Sequence, residues 1–359
     1  MAYIDQFFEV LVNAGASDLH LGQGQPPKIR RHGEVIAIRE ESLSHDEMAF
    51  MMSEISGPDR WEKYLQGGDL DFAYEMDEHS RFRCNFLKQT GGYGCVFRLI
   101  PTKIMTLDQL GIPPVVKEFG HLRGGLVLVT GPTGSGKSTT LAALIDYIND
   151  NFTRHIVTVE EPIEFVHNNK RSIITQREVP ENTTSFPQGL KAALREDSDI
   201  VLVGEMRDLE TIQLALTAAE TGLLVFGTLH TNNARKTVDR MIDVFPSDQQ
   251  SQVRTMLASS LRGVVAQLLL KKTPEVGGGR IAINEILVVN NAASAIIREG
   301  ATQKLQDVIV GGKGQGMQFM DDAIWAVMQQ GIVSPHEAYM KAIDKNRFRV
   351  FLPPEEQGL

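Results

Sequence analysis

Apolar and polar residues alternate within the first hundred residues of the chain. In the run RFRCNFL, one face carries Phe82, Cys84 and Phe86. The opposite face carries Arg81 and Arg83. A period of two is typical of a half-buried strand. The run GCVFRLI follows after KQTGGY, so this region is predicted to form a β-hairpin in a small α+β domain.

A different pattern begins at Gly124, where nearly unbroken apolar runs replace the alternation. The runs GLVLVT, HIVTV, DIVLVG and LLVFGTLH are short and rich in β-branched residues, as expected for parallel strands covered on both faces. Between two of them, four apolar residues recur at helical spacing: Leu141, Leu144, Ile145 and Ile148. This part of the chain is predicted to be an α/β core with a parallel sheet.

Helical patterns replace the strands after about Asn290. The run SPHE at Ser334 to Glu337 has the form of a capping box with proline in the first helical turn, which predicts the start of a terminal helix. We therefore expect an N-terminal domain over 1–100, a proline-containing linker over 101–115, the α/β core over 116–289 and a helical region over 290–359.

Composition narrows the classes of protein that remain. A chain of 359 residues exceeds what one apolar core usually supports, so two or three domains are expected. No apolar run approaches the ~18 residues of a membrane span, and the N-terminus lacks a signal-peptide pattern, which predicts a cytoplasmic protein without a transmembrane segment. Two cysteines are too few for a structural zinc site, and a net charge of −9 disfavours a nucleic-acid partner.

The stretch TGPTGSGKST follows the first apolar strand of the core and carries a phosphate-binding motif. Gly131, Gly136, Lys137 and Ser138 match G-x-x-x-x-G-K-[ST] between a strand and a helix. The glycines allow backbone N–H groups to face phosphate, and the helix N-terminus adds its positive dipole end. Lys137 is expected to bridge the terminal phosphates of ATP, and Ser138 to ligate Mg²⁺. The other loop residues expected to contact the nucleotide are Thr133, Gly134, Ser135 and Thr139.

Acidic residues and a histidine follow three other predicted strands. Glu160 and Glu161 come where a strand stops at Pro162, and Glu205 comes just after another. Ligands of open α/β sheets bind beyond the carboxyl ends of the strands, where a carboxylate can accept a proton from water or hold the water shell of a metal. His230 ends a third strand, where an imidazole either senses the γ-phosphate or only caps the strand end.

These four blocks, in this order, resemble the secretion ATPases of the type II secretion and type IV pilus superfamily, and most closely the PilT-type pilus retraction motors. GPTGSGKST is similar to the Walker A loop of that family, IVTVEEPIEF to its Asp box, DIVLVGEMRD to its atypical Walker B motif and TGLLVFGTLHTN to its His box. The similarity extends from GASDLHL to GMQFMDDAI, nearly the whole chain. It implies a RecA-like P-loop ATPase core, an N-terminal PAS-like domain and C-terminal helices.

The resemblance also assigns roles to the candidate residues. It implies that Glu160 is the general base, that Glu205 is the Walker B acid acting on Mg²⁺ and water, and that His230 responds to the nucleotide. Arginines of the N-terminal domain, and of a neighbouring subunit face, reach the phosphates in this family. The candidates for that role are Arg81, Arg83, Arg98 and Arg280.

The assembly and activity are implied by the resemblance alone. It implies a homohexamer that binds ATP between the RecA-like and PAS-like domains and powers pilus retraction, which drives twitching motility. It further implies an inner-membrane pilus platform protein as partner, a position at the inner face of the cytoplasmic membrane, and a paralogous motor ATPase beside it.

The sequence departs from the family pattern at four places. REDSD at Arg195 to Asp199 replaces the common RQDPD. Glu161 stands where aspartate is usual, Leu223 replaces the first histidine of the His box, and AASAIIRE at Ala292 to Glu299 keeps only part of a segment associated with retraction. No cysteine occurs in LLLKKTPEVGGGRIAINEIL, where extension motors carry a zinc insert, which favours the retraction branch, including its accessory paralogue. Two alternatives stay open: an ATPase that translocates nucleic acid, and a regulatory nucleotide-binding subunit without turnover.

Overall fold

The chain divides into two units, each with its own apolar core. The computed structural model describes residues 2–31, 33–77, 80–100 and 103–356. Unit 1 comprises Met1–Lys103 and Pro162–Val166, and unit 2 comprises Ile104–Glu161 and His167–Leu359. The chain therefore leaves unit 2 directly after Glu161, adds five residues to unit 1, and returns at His167. The bounds of the four segments expected from the sequence stay predictions.

Unit 1 is an antiparallel sheet packed with two helices. The strand order is β3-β2-β1-β6-β5-β4, and every neighbouring pair is antiparallel. Its elements are α1 (Asp5–Asn13), β1 (Asp18–Gly22), β2 (Lys28–Arg31), β3 (Glu34–Ala37), α2 (His45–Gly67), β4 (Asp69–Asp77), β5 (Ser80–Gln89) and β6 (Gly92–Ile100).

The predicted hairpin is present as β5 and β6. Phe82, Cys84 and Phe86 are fully buried, whereas Arg83 on the opposite face is exposed. Phe8 of α1 stacks on Phe82 with ring centroids 3.9 Å apart, so the apolar face of the hairpin carries the core of this unit. The period of two read from the sequence is confirmed.

Unit 2 is built on a seven-stranded sheet of order β13-β12-β7-β11-β10-β8-β9. All neighbours are parallel except β12 and β13, which form an antiparallel edge. Its strands are β7 (Gly125–Thr130), β8 (His155–Glu160), β9 (Ile173–Glu178), β10 (Ile200–Val203), β11 (Leu224–Leu229), β12 (Leu261–Lys271) and β13 (Arg280–Val288).

Helices cover both faces of this sheet. They are α3 (Val115–Phe119), α4 (Lys137–Asn151), α5 (Phe186–Ala193), α6 (Leu209–Glu220), α7 (Ala234–Asp243), α8 (Gln250–Ser260), α9 (Asn291–Glu299), α10 (Leu305–Gly311), α11 (Met320–Gln329), α12 (Pro335–Lys341) and α13 (Lys345–Arg349). Every residue of β7, β10 and β11 is buried, because apolar clusters lie on both sides of these strands. The predicted α/β core with a parallel sheet is confirmed.

The segment after Asn290 is helical, as the sequence indicates. At the start of α12, the Ser334 hydroxyl accepts a hydrogen bond from the Glu337 N–H at 3.1 Å, so half of the predicted capping box is present. The Glu337 carboxylate instead accepts from the N–H of Lys271, at 3.1 Å, which ties α12 to β12. No helix among the residues described above is long and apolar enough to cross a membrane.

A close helix-to-strand contact at Gly189 gives a test of this packing. A Cβ at Gly189 of α5 would lie 2.8 and 2.9 Å from the two methyl carbons of Val159 on β8. Gly189→Ala should lower the free energy of unfolding by about 1–3 kcal/mol through overpacking, against the ~1 kcal/mol by which alanine favours a helix. The measurement is the urea midpoint of the variant against wild type.

Gly311→Ala is the matched control, because a Cβ at this helical position meets no atom within 4 Å. Its midpoint should equal or exceed that of wild type. Equal midpoints for the two variants would contradict the packing described for α5 on β8.

Candidate functional site

Four chemically distinct segments follow the carboxyl ends of four neighbouring strands. The pairing registers place Leu128 of β7, Gly227 of β11, Val203 of β10 and Val159 of β8 in one row across the sheet. Neighbouring strands lie about 4.8 Å apart. Because the strands are parallel, the residues that follow this row all lie at the end of the sheet where the carboxyl ends of the strands meet, here called the sheet edge. In the order of the strands, they are the loop that begins at Gly131, then His230, Glu205 and Glu160.

The loop after β7 has the backbone of an anion-binding turn. Gly131, Gly134 and Gly136 have φ angles of +146°, +77° and +84°, which residues with a side chain rarely adopt. Gly136 is the N-cap of α4, and Lys137 is its first residue, so the loop ends at a helix N-terminus. The Lys137 ammonium donates to the carbonyl oxygens of Gly131, at 2.8 Å, and Pro132, at 3.2 Å. Its charge is therefore held against the loop itself.

The remaining loop residues differ in exposure. Thr133 and Gly134 are exposed and Ser135 is buried. Ser138 and Thr139 are half-buried in the first turn of α4. The loop therefore offers both backbone N–H groups and the Ser138 hydroxyl at one helix end.

Glu205 is held by two cationic or polar partners. Arg207 donates through Nη2 to Glu205 Oε2 at 2.6 Å and lies with Nε 2.5 Å from Oε1. His230 Nε2 lies 2.8 Å from the same Oε1. Burial alone would raise the pKa of Glu205, but the bonds and charges of Arg207 and His230 outweigh it and hold that pKa below its ordinary value. Glu205 is thus kept as an ionised carboxylate at the sheet edge.

Arg207 is a residue of the candidate site that the sequence pattern did not predict. It lies within the block DIVLVGEMRD, two residues after Glu205, but the pattern does not reveal that its side chain turns back on the acid. Bonding to Glu205 raises the pKa of Arg207, and the charge of Glu161 contributes in the same direction. Two carboxylates, those of Glu205 and Glu161, therefore favour the charged form of Arg207.

Glu160 is oriented by two polar side chains. The Thr158 hydroxyl donates to Glu160 Oε1 at 2.7 Å, and the Gln176 amide on β9 donates to the same oxygen at 3.3 Å. Glu160 is the last residue of β8, so its backbone is fixed by the sheet. This arrangement presents a positioned carboxylate, as a general base requires.

A cavity of about 690 Å³ lies beside the loop within unit 2. Gly136 and Thr139 form part of its wall, together with Lys272 and Arg280 near the start of β13. Its volume is in the range of small-molecule sites. Arg280, one of the four arginine candidates, therefore lines the same cavity as residues of the phosphate-binding loop.

The other three arginine candidates lie in unit 1, on β5 and β6. Arg83 and Arg98 are direct cross-strand partners, a placement that is unfavourable for like charges. Each arginine has an acidic neighbour: Arg81 with Glu75 at 3.9 Å, Arg83 with Asp71 at 3.9 Å and Arg98 with Asp18 at 2.8 Å. The role of these three residues toward a nucleotide stays a prediction.

The oxygen donors at the sheet edge suit Mg²⁺ better than a metal ion whose ligands are all supplied by the protein. No cluster of three or more histidine, cysteine, aspartate or glutamate side chains that could hold a metal occurs in the part of the chain that the structure describes. Mg²⁺ usually takes one or two protein oxygens and completes its shell with waters and phosphate oxygens. The Ser138 hydroxyl and the Glu205 carboxylate fit that donor set.

Leu223, the departure within the His box, lies at the opposite edge of the sheet. It precedes β11, whereas His230 follows this strand of six residues. At about 3.3 Å per residue, the two positions are about 23 Å apart along the strand. Leu223 packs against the apolar core, and its carbonyl accepts from the Gly125 N–H at 3.0 Å. The replacement therefore leaves the phosphate-binding edge unchanged.

Comparison with known proteins places this geometry in a family. The model of the family described as Type II/IV secretion system protein matches residues 1–278. The type IV pilus retraction ATPase PilT of Pseudomonas aeruginosa is 48% identical over 328 residues, covering 91% of this chain and 94% of that protein. The type IV pilus ATPase PilU of the same organism is 35% identical over 348 residues, covering 97% and 91%. A crystal structure of the pilus retraction motor PilT with bound ADP matches with a TM-score of 0.89 at 40% identity, covering 97% of this chain and 98% of that one.

The bond between Arg207 and Glu205 predicts a pH-dependent stability. Folding lowers the pKa of Glu205, so this group stabilises the fold above its unfolded pKa and loses that contribution as pH falls through the folded pKa. Arg207→Gln should therefore lower the urea midpoint near pH 7, and the difference from wild type should shrink as the pH falls below about 4. Arg207→Lys, which keeps the charge, is the control. A difference of the same size at every pH would show that Arg207 does not act through ionised Glu205.

Proposed function

Since the chain belongs to the type II/IV secretion system protein family, we propose that it is a pilus motor ATPase that hydrolyses ATP to power type IV pilus retraction and twitching motility. Its identity with PilT, 48%, exceeds its identity with PilU, 35%, within one organism. This difference supports the retraction motor over the accessory paralogue.

One observation carries the proposal for hydrolysis rather than nucleotide binding alone. Glu160 is the last residue of β8 and Glu205 follows β10, in the same parallel sheet as the phosphate-binding loop, and the registers bring the ends of these strands within two residues of one another. A regulatory subunit that only binds nucleotide does not require two positioned carboxylates beside a phosphate site. A motor that must align water on a γ-phosphate needs them, because positioning and electrostatics are most of what phosphoryl transfer requires.

The loop from Gly131 to Ser138 would hold the phosphates of ATP. Backbone N–H groups would donate to the phosphate oxygens, and the Lys137 ammonium would exchange its bonds to Gly131 and Pro132 for bonds to the terminal phosphates. Ser138 and Glu205 would hold Mg²⁺, which when bound neutralises phosphate charge and helps to orient the reacting groups. The donors present at this edge support that assignment.

Glu160 and Glu205 would each act on water, in different ways. Glu160, oriented by Thr158 and Gln176, would act as the general base. Glu205 would hold the metal's water shell. Because His230 contacts Glu205, it would respond to whatever changes at the γ-phosphate.

The base and ribose of ATP would lie in the cavity beside the loop, with Arg280 on its wall. Arg81, Arg83 and Arg98 would serve the phosphates from the N-terminal domain of the same or a neighbouring subunit. A phosphate near Arg83 and Arg98 would offset the repulsion between these directly opposite cations. Assembly into a homohexamer is proposed from the resemblance to the pilus retraction ATPases.

The motor would work at the inner face of the cytoplasmic membrane. A pilus platform protein of the inner membrane would receive its movement, with a paralogous motor ATPase as a second partner. Loss of the γ-phosphate would change the contacts of Lys137, Glu205 and His230 and would reorient the two units. Nucleic acid is not the cargo in this proposal, given the net charge of −9. A rise in ATPase rate on adding DNA or RNA would favour the translocase alternative.

Lys137 gives the first test. Lys137→Ala should abolish measurable ATPase activity and weaken binding of Mg·ATP, because it removes a charge directed at the phosphates, while the folding signal stays that of wild type. Calorimetric titration and a phosphate-release assay measure the two effects. Lys191→Ala, which removes an ammonium paired with Glu210 away from the loop, is the control and should keep full turnover. Normal turnover in Lys137→Ala would refute the proposed site.

The two acids give the second test. Glu160→Gln should bind Mg·ATP and lower kcat by about 10²–10⁴-fold, the usual contribution of general-base catalysis. Glu205→Gln should lower kcat and also raise the Mg²⁺ concentration needed for half-maximal rate. Glu210→Gln, a surface variant, is the control. A wild-type rate in Glu160→Gln would place the base elsewhere, and an unchanged Mg²⁺ requirement in Glu205→Gln would remove that residue from the metal site.

A further inference from the structure

The buried amide side chain of Gln267, on β12, makes a hydrogen bond to the phosphate-binding loop. Gln267 is 1% exposed and makes hydrogen bonds to three different elements. Its Nε2 donates to the carbonyl oxygen of Ser135 at 2.6 Å. Its Oε1 accepts from the Thr140 hydroxyl of α4 at 2.8 Å and from the Asn284 amide of β13 at 3.0 Å. The loop, its helix and the edge strand therefore meet at one side chain.

The direction of the Gln267 amide is set by these partners. Thr140 and Asn284 both donate to Oε1, so the NH₂ group is left to face Ser135. The carbonyl of Ser135 is an acceptor only, which matches that orientation. A flipped amide would bring two oxygens together at Ser135 and leave buried donors unpaired, at a cost in free energy.

The bond to Ser135 fixes the direction of the next N–H group. In a trans peptide the C=O and the following N–H point in opposite directions. With the Ser135 carbonyl directed at Gln267, the Gly136 N–H points away from β12. Gly136 is the N-cap of α4, so this N–H belongs to the helix end that binds anions.

The same amide restricts the residue at position 136. A Cβ on Gly136 would lie 3.0 Å from Gln267 Nε2, and the φ of +84° already disfavours a side chain. Glycine is therefore favoured at this position by the backbone conformation, and a Cβ here would also make a tight contact with Gln267. The loop and Gln267 fit each other as a unit.

We infer that Gln267 is a positioning residue for phosphate binding: it holds the peptide between Ser135 and Gly136 so that the Gly136 N–H faces the nucleotide. This inference rests on the proposed ATPase function. Gln267 also lines the cavity beside the loop. Because its amide group is bonded to Ser135, Thr140 and Asn284, it acts on the phosphates through the loop. Without its bond, this peptide loses the contact that sets its direction, and one N–H donor to the phosphates is no longer held in place.

The test uses two variants of the full chain. Gln267→Met keeps the length of the side chain and removes the hydrogen bonds, so the dissociation constant of Mg·ATP and the KM should each rise about 10- to 100-fold, the range for a hydrogen bond to a charged group. Gln267→Glu places a carboxylate against the Ser135 carbonyl. Burial raises the pKa of such a group, and once protonated it can donate to Ser135. Its affinity for Mg·ATP relative to wild type should therefore recover as pH falls.

Asn149→Leu is the matched control, because Asn149 is a buried amide at the far end of α4. It donates to the carbonyl of Asn168 and accepts from the N–H groups of Lys170 and Ser172. This variant should lose stability and keep wild-type affinity for Mg·ATP.

Each outcome bears on one claim. Wild-type affinity in Gln267→Met would overturn the inference and leave the proposed function intact. Failure of the wild-type chain to bind Mg·ATP would overturn the proposed function itself. If Gln267→Met does not fold, the pH series of Gln267→Glu decides: recovery at low pH supports the positioning role, and a constant deficit contradicts it.

Discussion

The parallel pairing of β7, β11, β10 and β8 is the constraint on which the site depends. The row from Leu128 through Gly227 and Val203 to Val159 brings the four strand ends within two residues of one another. Segments spread over a hundred residues of sequence therefore reach one edge of the sheet. A slip of one residue in any of these strands would turn its side chains to the other face and misplace the segment that follows it.

At this edge of the sheet, the charged groups of Lys137 and Glu205 already have hydrogen-bond partners within the protein. Lys137 bonds the loop carbonyls of Gly131 and Pro132, while Glu205 bonds Arg207 and His230. Mg·ATP binding would then exchange these bonds for others rather than create bonds from unpaired charges. An exchange of this kind costs little net free energy. It suits a motor that must bind, hydrolyse and release nucleotide repeatedly.

The sequence predicted the parts of the site that depend on local pattern. The glycines and Lys137 of the loop, the buried strands of the core and the hairpin of unit 1 all follow from spacing and period. Arg207 and Gln267 did not, because their roles depend on where a side chain turns and on which strands are neighbours. Gln267 lies 132 residues from Ser135 in sequence, and only the placement of β12 beside β7 brings them together. Leu223 likewise needed the strand direction before its distance from His230 was evident.

The most direct test of this account is a crystal structure of the chain with Mg²⁺ and a non-hydrolysable ATP analogue. The account predicts the triphosphate against the loop, with Lys137 and the Gly136 N–H bonded to phosphate oxygens, Gln267 still bonded to Ser135, and the base in the cavity beside Arg280. A triphosphate bound away from this sheet edge, or a Ser135 carbonyl turned away from Gln267 toward the nucleotide, would contradict it.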